Sequence, residues 1–150
     1  MIDKIDKQIL SILQKNSRGS SSEIAKEVKL STPAVIERIK KMTDAGIIKE
    51  FSTVVNSKLL GLDLTAFIFV ISDNSSNYKN FINNAEQCAE IYECHSITGS
   101  GSHMLKVVVQ NSQALENLLY RIQSWPGVSR TQTNLVLSTY KDKKEIQFNI

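Results

Sequence analysis

Residues 20–42 read SSSEIAKEVKLSTPAVIERIKKM. Two helix-start signals sit inside this stretch. Ser20-Ser21-Ser22-Glu23 matches the S-x-x-E capping box, in which a hydroxyl and a carboxylate each satisfy a free backbone N–H. Ile24, Ala25 and Val28 then share one face of a short helix, and Lys29-Leu30 form a turn. Ser31 or Thr32 can cap a second helix over residues 32–45, with Pro33 tolerated in a first turn whose N–H groups have no partner. Val35, Ile39 and Met42 form its buried stripe, with Ile36 beside them, and Gly46 is placed to end it. Two short helices joined by a tight turn make a helix-turn-helix, whose second helix can enter a major groove.

Upstream, Ile5, Ile9, Ile12 and Leu13 recur at helical spacing and predict a first helix over residues 3–16. Asp3 and Asp6 stand at the end of the dipole that favours acids. Downstream, residues 47–55 (IIKEFSTVV) are β-rich and partly alternating, which predicts a flanking ribbon and hence the winged variant of the motif. Residues 1–50 are therefore expected to be a winged helix-turn-helix domain and residues 51–63 a ribbon or hinge.

On the helix over 32–45, Ala34, Glu37, Arg38 and Lys41 are spaced to share one face. Arg38 can reach guanine or phosphate, Lys41 suits phosphate, and Glu37 can accept from a cytosine amino group or orient Arg38. With Ser31 and Thr32 these are the candidate DNA contacts. Taken alone, three charges on a helix are equally a solvated face. The charge distribution favours a polyanion: residues 1–56 hold ten Lys/Arg against seven Asp/Glu, so the whole net charge of +3 lies there. Double-stranded DNA is the expected partner.

The rest of the chain alternates strand and helix signals. Residues 64–71 (LTAFIFVI) are an apolar run of strand length. Tyr78, Phe81, Ile82 and Ala85 recur at helical spacing, and strands are expected at 91–98 and 104–110. Ser112 is placed to cap a helix carrying Leu115, Leu118, Leu119 and Ile122. Residues 128–140 alternate as a long final strand. The order βαββαβ predicts an α+β, ferredoxin-like domain over 64–150, with two helices on one face of an antiparallel sheet. A half-solvated strand alternates cleanly, and 64–71 does not, so the bare face is expected to meet a second copy in a sheet-to-sheet homodimer.

Several functions find no support. No apolar run approaches a membrane span, the start is not a signal peptide, and two cysteines fit a reducing cytoplasm. Cys88, Cys94, His95 and His103 match no common metal spacing, and Cys94 and His95, adjacent on a strand, point to opposite faces. No catalytic constellation, phosphate loop or dinucleotide fingerprint is present, so neither enzyme nor cofactor is expected.

Over nearly its full length the chain resembles the Lrp/AsnC (leucine-responsive, feast/famine) regulators. The matching residues are Ile5-Asp6 to Leu13, Arg18, Glu23-Ile24-Ala25, Leu30-Ser31, Val35, Arg38, Gly46-Ile47-Ile48, Gly61, Thr98-Gly99, Gly127-Val128 and Lys141. The resemblance implies a transcriptional regulator with a winged helix-turn-helix, a hinge and an effector domain, assembling as dimers and often octamers. It places an effector site, between dimers, in the loop after the second strand: Gly99, Ser100, Gly101, Ser102 and His103. Many members read Gly-Asp-Tyr-Asp there, whereas this chain has Gly-Ser-Gly-Ser. Serine offers an amino acid's ammonium only a neutral hydrogen bond, about half the strength of a charge-assisted one. Backbone N–H groups of a Gly-rich loop still suit a carboxylate. The alternatives are an architectural DNA-binding protein without effector, and an effector-sensing scaffold without DNA.

Overall fold

The computed structural model describes residues 2–143 and 145–148. The described residues up to Val54, together with those from Lys141 onward, form one compact unit, and Val55–Tyr140 forms the other.

The first unit is built on three helices: α1 (Lys4–Lys15), α2 (Ser21–Val28) and α3 (Thr32–Asp44). Each begins where a side chain answers a free N–H. Asp3 and Asp6 close a capping box on α1, Ser20 and Glu23 close one on α2, and Ser31 caps α3. Between α2 and α3 the chain reverses through Lys29, held at φ 57°. Ile9, Leu13, Ile24, Ala25, Val28, Val35 and Met42 interlock as the core of this unit. Ile36, expected beside that stripe, is 53% exposed and packs outside the cluster.

Two expectations fail around this unit. Residues 49–56 join no ladder among the described residues, so the expected ribbon is not seen within the single chain. The segment from Lys141 onward, expected with the sheet, groups with the helices instead. The side chain of Gln14 on α1 accounts for part of this. Its amide accepts from the backbone N–H of Ile146 at 2.7 Å and donates to the Ile146 carbonyl at 3.2 Å. A primary amide presents the same donor–acceptor pair as a neighbouring strand.

The second unit runs β1 (Leu64–Ser72), α4 (Tyr78–Glu86), β2 (Ile91–Ser96), β3 (His103–Val109), α5 (Ser112–Gln123) and β4 (Val128–Leu135). All ladders are antiparallel, in the order β2-β3-β1-β4. This is the expected α+β, ferredoxin-like arrangement. Asn111, one residue before the expected Ser112, caps α5 by accepting from Ala114 N–H at 2.9 Å. The last strand stops at Leu135, short of the expected residue 140; Val136 makes one further bond, to Thr65 O, and Leu137 and Tyr140 are exposed.

Alternation along β1 decides what faces what. Ala66, Ile68 and Val70 are buried against Phe81 and Ala85 of α4 and Leu115, Leu118 and Ile122 of α5. Thr65, Phe67, Phe69 and Ile71 point to the other face, where the register sets Phe69 between Met104 and Gln132 and Phe67 between Lys106 and Asn134. Both helices pack on the first face. Trp125 packs at the end of α5, 5.5 Å from Phe81 between ring centres.

Candidate functional site

The α3 surface is arranged differently from its sequence reading. Val35 and Met42 are buried, whereas Ser31, Pro33, Ile36, Glu37, Lys40 and Lys41 are exposed. Ala34 and Arg38 are half-buried and line, with Glu37 and Lys41, a cleft shared with Asp6 of α1. Only the Ala34 and Arg38 side of the expected face thus turns toward α1; Glu37 and Lys41 stay exposed, and the outward surface carries them with Pro33, Ile36 and Lys40.

Arg38 is the clearest departure. Asp3 Oδ1 accepts from Asp6 N–H and Asp6 Oδ2 accepts from Asp3 N–H, which leaves one oxygen on each carboxylate. Arg38 Nη1 donates to both remaining oxygens, at 2.7 Å each. All four carboxylate oxygens of the α1 capping box are then used, and α3 is tied to the start of α1. The Asp3 carboxyl is held below its ordinary pKa by the Asp6 backbone N–H first and by Arg38 second. Arg38 is raised by the same pairing, chiefly through Asp6. The guanidinium expected to reach guanine is an internal clamp. The sequence shows Asp3 and Asp6 at capping-box spacing with two oxygens left open, but not which cation those oxygens would meet.

Glu37, expected to orient Arg38, pairs instead with Lys41 at 2.7 Å, and Lys40 pairs with Asp44 at 2.9 Å. These pairs are exposed, and solvent screening leaves an exposed pair weak. Phosphate can displace such carboxylates, so Lys40 and Lys41 remain available to a polyanion.

The loop after β2 forms an open depression of about 360 Å³ lined by Ser72, Tyr78, Ile97, Gly99, Ser100, Gly101 and Ser102, among others. Gly99 adopts φ 106°, a conformation that favours glycine, and a Cβ on Gly101 would stand 3.1 Å from the Val70 carbonyl, a tight contact that a side chain there would press on. Ser102 is committed to structure: its N–H and hydroxyl both donate to Val70 O, at 2.9 and 3.1 Å. Its oxygen can then accept from Ser72 Oγ and from His103 Nδ1, each 3.0 Å away.

His103, expected at the loop surface, is 1% exposed. It starts β3 on the helix-packed face, edge-on to Tyr78 and tilted against Phe81, both at 4.7 Å. Burial lowers its pKa, so it is neutral at pH 7. The structure therefore brings Gly99 to Ser102 together and places His103 behind Tyr78 as support. Tyr78 was missed because its spacing with Phe81 and Ala85 marked it as helix core. Among the described residues no carboxylate lines the depression, which offers hydroxyls and backbone amides.

A capped helix-turn-helix followed by a sheet with both helices on one face defines a two-part DNA-binding regulator. Comparison with known proteins agrees. Residues 2–49 match the winged helix-turn-helix DNA-binding model, and residues 65–146 match the Lrp/AsnC ligand binding domain. The HTH-type transcriptional regulator FL11 of Pyrococcus abyssi is 36% identical over 145 residues, covering 97% of this chain and 95% of its own. Transcriptional regulator AzlB of Bacillus subtilis is 33% identical, covering 94% and 92%. Among solved structures, Escherichia coli AsnC superposes with a TM-score of 0.86 at 31% identity, covering 100% of this chain and 98% of that one. A transcriptional regulator from Neisseria meningitidis, solved as its L-Met complex, reaches 0.93 at 27%, covering 99% and 98%.

The chain belongs to the Lrp/AsnC family of transcriptional regulators. It is a DNA-binding transcriptional regulator with an N-terminal winged helix-turn-helix and a ligand-binding domain, and the relatives it matches are named transcriptional regulators. Among the described residues, no helix is long and apolar enough to cross a membrane.

Proposed function

We propose that this regulator works as a homodimer, or a larger even-numbered assembly, that presents paired α3 helices to duplex DNA and takes an amino acid or related small carboxylate at Gly99 to Ser102. The observation that carries the reading is α3 itself. It is capped and packed on one stripe, with Ser31, Pro33, Ile36, Glu37 and Lys40 exposed. Ser31, Thr32, Glu37 and Lys41 keep their proposed part in the interface, with Ala34 at its edge, while Arg38 contributes by fixing the helix. Dimerisation is supported by the sheet face of Phe67, Phe69, Ile71 and Met104, which no helix of the second unit covers.

The effector class follows from the loop. Hydroxyls and glycine amides suit a carboxylate, and the L-Met complex of the Neisseria relative supports an amino acid. A ligand there acts by binding one assembly or DNA-bound state more tightly than another. Calorimetric titration of the full chain with each common amino acid tests this. Heat of binding for at least one is expected, and it should disappear with Gly101→Val, whose side chain would crowd Val70 O. Absence of heat for all of them would remove amino acids as effectors.

A further inference from the structure

Every cation of α3 is matched by a carboxylate: Arg38 by Asp3 and Asp6, Lys40 by Asp44, Lys41 by Glu37. The Ser31 hydroxyl is turned back to Ala34 N–H, 3.4 Å away. Beside Pro33, the outer surface presents a large apolar side chain, Ile36. It is 53% exposed and stands outside the helical core, although its neighbours Val35 and Ile39 join that core. It is one turn past Thr32 and one turn before Lys40, midway along the surface that carries the helix-start and phosphate-seeking residues.

In a major groove a branched hydrocarbon has one complementary feature, the C5-methyl of thymine. The other groups on the base edges are hydrogen-bond donors and acceptors, which an isoleucine would desolvate without repayment. We infer that Ile36 is a specificity-determining residue that reads a thymine methyl, selecting T over C at one position of each half-site. Lys40 and Lys41, by exchanging their weak carboxylate partners for phosphate, supply register and not sequence. This inference rests on α3 being the DNA-reading helix.

The test uses the full chain and duplexes it selects from random DNA. Each thymine of the selected half-site is replaced in turn by deoxyuridine, which deletes the methyl and keeps the pairing edge. For the wild-type chain, one replacement is expected to weaken binding roughly fourfold, the worth of one buried methyl. Ile36→Ala should bind the thymine duplex more weakly, and the same replacement should then cost it nothing further. Its melting midpoint should match wild type, because Ile36 lies outside the core. If the wild-type chain tolerates deoxyuridine at every position, or if Ile36→Ala remains as sensitive as wild type, the inference is overturned while DNA recognition by α3 stands. If no sequence is enriched from random DNA, the reading of α3 fails and the inference with it.

Discussion

Arg38 shows how one side chain can be misassigned when only its own helix is considered. Spacing placed it with Ala34, Glu37 and Lys41 on one face, and an arginine on the second helix of a helix-turn-helix invites a base contact. Its position on α3 was legible; its partners were not, because Asp3 and Asp6 lie more than thirty residues away in sequence. The clamp has a measurable signature. Arg38→Ala should lower the melting midpoint by a few degrees and weaken DNA binding by loosening α3. The salt slope of binding should nevertheless match wild type, because no phosphate contact is removed. A slope reduced by about one unit would mean that Arg38 touches phosphate after all. His103 teaches the same lesson: a histidine beside a Gly-Ser loop reads as a ligand contact, yet strand alternation turns it inward onto Tyr78 and Phe81.

At the scale of elements, caps and periodicity carried most of the fold. Ser20 with Glu23, and Ser31, start α2 and α3 as local chemistry requires, and the apolar spacing locates α4 and α5. The failures fall on segments whose partners are not local. Residues 49–56 and 136–140 have strand composition, but a strand exists only with a neighbour to bond to. The run at 64–71 was legible for the opposite reason: neither of its faces is polar, so both must be covered. One face meets α4 and α5, and the other is proposed to meet a second copy. Phe69→Glu places a charge at the centre of that second face, away from the helix-packed core. Sedimentation should show the dimer weakened at least about thirtyfold, with the helical content of the chain intact. An unchanged assembly state would place the dimer elsewhere.

For the whole molecule, the division of labour follows the charge. The net positive charge lies in the first third, where the helix-turn-helix is, and the sheet unit carries the apolar face and the glycine loop. The sequence-level charge count and the exposed lysines of α3 therefore point the same way. Phosphate contacts release counterions, so DNA binding by this unit must weaken as salt rises. Recognition depends most on that electrostatic encounter, and a titration of the full chain against duplex DNA at a series of salt concentrations measures it. A plot of log affinity against log salt should fall steeply, by several units of slope for a dimer contacting several phosphates. A flat line, or no binding at the lowest salt, would contradict it.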